Sequence, residues 1–245
     1  MKRVIFILSF FFSLQVFSQE KPNSWTAFLF NYTHQFPFAD LKERFGDNSS
    51  IGTILIKKTN KNWIFGVDGA YLFGHKIKNN DLFDNIGTEN GEIINQDGLF
   101  ANILTYQRGF STFLLSGRAF VFDENNKHSI YVTGGIGYMN HKIHIQIQED
   151  IIPQLNDEYK KGYDRLSGGI SVKLNLNYIH FSKKNNVKFF SGVELLKGWT
   201  KELRPYFFDE KQYSSPDLRN DILFGIKAGI IIPISKKTSS EYHYF

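Results

Sequence analysis

Between residues 221 and 234 the chain reads DILFGIKAGIIIPI, and Ile222, Phe224, Ile226, Ala228, Ile230, Ile232 and Ile234 place an apolar side chain at every second position. The intervening set includes Gly225, Lys227 and Gly229. A period of two belongs to an extended strand and not to a helix. If lipid wets the apolar face, Lys227 points into a polar interior, the inside-out pattern of a transmembrane barrel.

The same alternation recurs upstream. Residues 24–34 set Phe28, Phe30 and Tyr32 against Asn31 and Thr33, residues 50–58 return as a second strand, and residues 63–74 set Trp63, Phe65, Val67, Tyr71 and Phe73 against Asp68. Residues 99–122 exceed the roughly 9–11 that a spanning strand needs. Residues 111–122 are therefore expected to cross, with the part before them, interrupted at Arg108 and Gly109, projecting above the membrane or folded into a loop. A fifth strand covers 129–141, and Ile143, Ile145 and Ile147 carry it past the bilayer. Residues 165–181 and 187–199 are the sixth and seventh strands, and 221–234 is the eighth.

The connections alternate in length. Long polar stretches at 35–48, 76–98, 147–162 and 200–219 alternate with short turns at 59–62, 123–128 and 182–186. Pro37 and a helical turn over 39–44 are expected to end the first strand. This order predicts an all-β fold, an eight-stranded antiparallel transmembrane up-and-down β-barrel with four long extracellular loops and short periplasmic turns. A soluble eight-stranded barrel with an apolar inside is the structural alternative, and it turns Asp68, Arg118, Lys173, Glu194 and Lys227 outward.

The N-terminus adds a route. Lys2 and Arg3 precede an apolar run from Val4 to Phe17, so residues 1–18 read as a secretory signal peptide and 19–245 as one barrel domain with a short periplasmic tail. No stretch reaches the roughly 20 apolar residues of a membrane-spanning helix. Loss of Lys2 and Arg3 lowers the net charge from +5 to +3, too mild a balance to favour nucleic acid as a partner. The chain has no cysteine, which excludes thiol chemistry, disulfides and cysteine-based metal sites. Its 25 Phe and 12 Tyr suit a lipid-facing wall with aromatic girdles.

Asp68 and Glu194 share the expected lumen with Arg118, Lys173, Lys188 and Lys227. Eight strands leave an interior just wide enough for side chains, so these charges are expected to form a packed network; a narrow ion path is the functional alternative. The histidines admit a second alternative, a lipid-modifying enzyme, with His141 and His144 near the outer rim. No nucleophile motif accompanies them, and three residues apart on a strand they point to opposite faces, against a shared metal. Asp81, Asp84, Glu89, Glu92 and Asp97 lack calcium-loop spacing and read as a solvated acidic loop. No cofactor or metal is implied. Tyr159, Tyr163, Asp164 and Arg165 at a strand mouth read equally as a docking surface or as an aromatic girdle with a loop anchor, and Tyr242, Tyr244 and Phe245 in the tail as an assembly signal or a second docking surface.

The segments DLKERFGDNSSIG at 40–52, NWIFGVDGAYLFG at 62–74 and IPQLNDEYKKGYDRLSGG at 152–169 resemble blocks of small outer-membrane barrels of the Bacteroidota, the PorT-like proteins among them. The resemblance spans most of the mature chain and rests on structural motifs. It implies a barrel in the outer membrane, in contact with outer-membrane lipid, and a partner-binding role as an accessory part of type IX secretion or gliding machinery. It transfers no catalytic residue. The reading is a non-enzymatic barrel with a plugged interior, a scaffold or accessory subunit among envelope proteins.

Overall fold

The computed structural model describes residues 24–79, 81–122, 128–148, 151–180 and 188–234. The expected signal peptide, most of the turns expected at 123–128 and 182–186, and the tail with Tyr242, Tyr244 and Phe245 lie outside the described residues.

In chain order the elements are β1 (Trp25–Ala39), the single-turn helix α1 (Asp40–Arg44), β2 (Asn48–Lys58), β3 (Trp63–Gly74), β4 (Ile103–Val121), β5 (His128–Ile147), β6 (Ser167–His180), β7 (Lys188–Glu202), a small hairpin of β8 (Tyr206–Phe207) and β9 (Gln212–Tyr213), and β10 (Arg219–Ile234). Eight strands close into a barrel in the order β1, β10, β7, β6, β5, β4, β3, β2, every neighbour antiparallel. Closure comes from β1 against β10, with Thr26 opposite Ile234 and Ala39 opposite Asp221. It leaves the main sheet without an open edge. No helix among the described residues is long and apolar enough to cross a membrane, which says nothing against crossing by strands.

The period of two sorts the side chains as the sequence predicts over most of the barrel. Leu114, Ile136, Ile170 and Phe189 point outward and expose 71, 68, 66 and 62% of their surface. Thr33, Asp68, Thr133, Asn175 and Lys227 point inward and are buried. A continuous apolar wall around a polar interior is costly in water, and hydrocarbon removes that cost. This is the architecture of a transmembrane barrel.

The sidedness inverts near the long-loop end. Within the uninterrupted β5, Val132 and Ile136 face outward, yet higher up Ile143 and Ile145 face inward and are buried while His144 and Gln146 are exposed. An apolar exterior gives way to a polar one at Asn140 and Lys142, the level at which lipid gives way to water. Above it the barrel packs like a soluble β-domain.

Two expectations are corrected. The first strand does not stop at Pro37 but runs on to Ala39. β2 pairs with β1 only as far as Asn48 opposite Gln35, so Pro37 lies beyond the end of that ladder, where a missing N–H is tolerated. Nor is the fourth strand interrupted at Arg108 and Gly109: β4 pairs with β5 from Ile103 opposite Ile147 to Val121 opposite Ser129. A Cβ at Gly109 would stand 2.2 Å from the Asn140 carbonyl oxygen. Gly109 is there for close strand approach rather than as a break.

The long connections fold over the mouth as a cap. Leu41 and Phe45, from α1 and its exit, are fully buried, and Leu82, Ile93, Ile152 and Leu155 from two loops join Ile143 and Ile145 in one apolar cluster. The five carboxylates at 81–97 are exposed, as a solvated loop requires, while Leu82 and Ile93 fasten the same loop from below.

Candidate functional site

The lumen, the mouth and the cap form three stacked polar layers. In the lumen, Lys173 Nζ donates to Asp68 Oδ2 at 2.9 Å and lies 3.9 Å from Glu194 Oε2. Lys227 Nζ reaches the same Glu194 oxygen at 2.9 Å and donates to Asn175 Oδ1 at 2.5 Å. Gln35 Nε2 donates to Glu194 Oε1 at 2.8 Å, and Lys173 stands 4.5 Å from the centre of the Phe113 ring. Two ammonium groups thus face two carboxylates with amides at their sides, all buried. Such a group is tolerable only because every charge has partners. Strands on opposite walls, β3 and β6, are joined across the bore.

Two residues expected in the lumen stand apart from this network. Arg118 belongs to the outward set of β4, opposite Trp63, and its guanidinium lies 5.7 Å from the centre of that indole. Phe113 and Leu115 point inward, and one further step of two reaches Gly117, so Arg118 falls on the lipid side. Lys188 keeps the inward register, half-buried at the short-turn end of β7.

The middle layer closes the mouth. His141 projects inward from β5 and is fully buried, with its Nε2 2.8 Å from Asp221 Oδ2. Thr200 Oγ1 donates to that same carboxylate oxygen at 2.5 Å, and Phe45 meets the imidazole edge-on at 5.4 Å. Beside it, Arg44 of α1 pairs with Glu202 at 2.6 Å, and Ser167 Oγ donates to Glu202 Oε2 at 3.0 Å. Arg219 Nη2 donates to the Asp40 carbonyl at 2.8 Å. α1 is thereby bolted to β7 and β10. Sequence reasoning missed this layer; the signal was available in the unbroken alternation of β5, which puts His141 on the same inward set as Tyr131 and Thr133, and in Asp221, which shares the inward register of Lys227.

The outer layer is the cap. Arg204 Nε and Nη2 donate to Asp164 Oδ1 and Oδ2 at 2.9 and 2.5 Å, a bidentate pair. Arg165, at φ 47°, pairs with Asp209 and with Glu210 at 2.6 Å, and its guanidinium lies 4.1 Å from the centre of the Phe207 ring. Burial pushes the Glu210 carboxyl up, but the hydrogen bonds and charge of Arg165, with help from Gln212, outweigh it and hold the group below its usual range. Of the two readings of this stretch, the contacts fit the loop anchor for Tyr163, Asp164 and Arg165, which are buried, and leave only Tyr159 exposed at this mouth.

Tyr159 lines a concave site of about 530 Å³ in the cap, with Tyr163, Tyr206 and Phe208 as aromatic walls and Gln154 and Lys211 at its margin. Asn85 fixes two of the walls, donating to the Phe208 carbonyl at 2.8 Å and accepting from the Tyr163 hydroxyl at 3.1 Å. The arrangement suits recognition by stacking and hydrogen bonding. His141 is sealed from any substrate, whereas His144 faces outward from β5, so the two share neither a face nor a reaction centre. Among the described residues no three His, Asp or Glu side chains converge as metal ligands.

No protein-family model matches the chain, and no curated protein matches it. Among solved structures it is similar to Neisserial surface protein A, with 11% identity, a TM-score of 0.48, and coverage of 86% of this chain and 98% of that one. It is also similar to Ail, the attachment invasion locus protein of Yersinia pestis, solved with the heparin analogue sucrose octasulfate, at 11% identity, TM-score 0.39, and 86% and 99% coverage. The N-terminal β-barrel domain of Pseudomonas aeruginosa OprF follows at 9% identity, TM-score 0.39, and 86% and 100% coverage. The likeness is one of overall shape, and no residue role passes from them to this chain.

Proposed function

We propose that this chain is a non-enzymatic outer-membrane barrel, exported by residues 1–18, whose plugged bore serves as an anchor and whose folded cap faces the cell exterior as a recognition surface. The observation that carries the reading is the inversion of sidedness along β5, from outward Ile136 to inward Ile143 and Ile145. A barrel that is apolar outside over one height and apolar inside over the next is matched to lipid below and water above. The buried ion network of Lys173, Asp68, Glu194 and Lys227 supports a structural rather than a conducting bore. The aromatic site around Tyr159 supports recognition by the cap.

The finer reading is an accessory subunit of an envelope complex such as type IX secretion or gliding machinery, and its support is the sequence resemblance alone. Mild detergent extraction of native outer membranes, crosslinking and mass spectrometry test it. Co-isolation of secretion or gliding components, lost with Tyr159→Ala, is the expected result. A chain that always runs alone would overturn the subunit role.

A further inference from the structure

On the outer wall of the barrel, at the level where sidedness inverts, β4 and β5 form a groove of about 380 Å³. Arg108 and Lys142 stand directly opposite each other across the two strands, both on the outward-facing set. Like charges in that arrangement repel. His144, two residues further along β5, lies on the same face and lines the same groove. Among the described residues none of the three makes an ion pair. Arg108 donates to the Gln107 carbonyl at 3.0 Å and lies 4.8 Å from the centre of the Tyr106 ring, and among the described residues its other donors have no side-chain acceptor. Burial first, then the charges of Lys142, Arg108 and Lys160, push the His144 imidazole below its usual range. The positive charge therefore converges on one spot.

The remaining walls are mostly apolar: Tyr71 and Phe110 project outward and Leu166 closes the side, while Asn140, the one polar member, accepts from Phe110 N through its Oδ1 at 3.0 Å. On β4 and β5 the basic residues lie on the water side of the inversion, and Phe110 lies below them, toward the lipid-facing stretch that contains Leu114. An occupant must combine an anionic head at the height of Arg108 and Lys142 with a hydrocarbon chain running down the wall past Phe110.

We infer that this groove is a binding site for a phosphorylated lipid of the surrounding outer leaflet, with Arg108 and Lys142 holding the phosphate, His144 at its edge, and Phe110 and Tyr71 against the acyl chain. The site rests on the membrane-inserted reading above. An anion between Arg108 and Lys142 turns a repulsive cross-strand pair into a clamp of charge-assisted hydrogen bonds. A lipid held there also fixes the depth of the taller β4 and β5 wall.

The test uses the full mature chain in detergent, examined by native mass spectrometry with phosphatidic acid and phosphatidylcholine of matched acyl chains as probes and inorganic phosphate as a competitor. The wild-type chain is expected to retain phosphatidic acid over phosphatidylcholine by roughly tenfold. Arg108→Gln with Lys142→Gln should bring the two lipids to near parity, while Lys42→Gln with Lys78→Gln, an equal loss of charge in the cap, should leave the preference intact. The groove variant loses a repulsion, so its heat-shifted mobility on gels should appear at or above the wild-type temperature. Lys142→Gln alone, a milder change, should give an intermediate preference. Equal retention of both lipids by the wild type, or an unchanged preference in the groove variant, would overturn the site. Displacement of the lipid by inorganic phosphate at equal concentration would overturn the lipid as occupant. Wild-type chain that fails to enter vesicles would overturn the membrane reading itself, whereas insertion without lipid preference sinks only the groove.

Discussion

Glu194 lies between two ammonium groups, 2.9 Å from Lys227 and 3.9 Å from Lys173, in a bore with no room for bulk water. Removing it strands both charges, so Glu194→Ala is expected to cost about 3–5 kcal/mol in equilibrium unfolding by urea from lipid vesicles. Glu194→Gln combined with Lys227→Met removes a charge of each sign and should cost clearly less; equal losses would mean that the pair is not coupled. Gly225 makes room for this carboxylate, since a Cβ there would meet Thr33 Cγ2 at 2.6 Å and Glu194 Cγ at 2.9 Å. Gly225→Val should therefore destabilise the barrel by about 1–3 kcal/mol through overpacking, readable in the same titration. Asp68, Lys173, Glu194 and Lys227 were legible in the sequence because each follows an outward apolar residue, Val67, Val172, Val193 or Ile226, in an alternating strand. Arg118 was not, because a single position decides the face and the Trp63 ring that covers it on the neighbouring strand is invisible in a linear pattern.

At the scale of elements, the cap depends on a few charged bolts between loops. Arg204→Ala removes both bonds to Asp164, whose backbone carbonyl also accepts from Ile143 N at 2.7 Å. The expected outcome is rapid protease cleavage within 151–166 and 203–218 with insertion of the barrel unchanged; loss of insertion would show that the cap and barrel fold as one unit. The Glu210 carboxyl is held below its usual range, so its contribution to docking of the β8 and β9 hairpin is present above the unfolded carboxylate pKa of about 4.3 and is lost as pH falls through the lower folded value. Amide exchange in 206–213 should accelerate as pH drops below about 4 after correction for the intrinsic rate. Strands were readable because a period of two repeats over many residues. The cap was not: Leu82, Ile93 and Leu155 lie in apolar islands of one or two residues within polar stretches, and their common cluster is a product of loop folding. His141 was placed near the right rim, yet its burial against Asp221 needed the closed strand order, which sets β10 and β5 on either side of β7 and β6 around the mouth.

For the whole molecule, a bore crossed by the Lys173 to Asp68 bond should pass no steady current. Planar bilayers are expected to stay silent with the wild-type chain; stable conductance altered by Lys227→Glu would replace the plug with an ion path. The barrel and its strand order were legible because lipid imposes the same alternation on all eight walls. Recognition by the cap was not, because it rests on side chains brought together from separate loops. The most direct test of the central claim exploits the absence of cysteine, which allows single spin labels along β5 at 132, 136, 138, 142, 144 and 146 and along β10 at 222, 226, 228 and 232. In vesicles, the account predicts that labels at 132, 136, 226, 228 and 232 collide with oxygen and not with a water-soluble nickel chelate, and that 142, 144 and 146 do the reverse. Labels at 136 and 226 that meet the nickel chelate instead would contradict a lipid-facing wall and with it the whole reading.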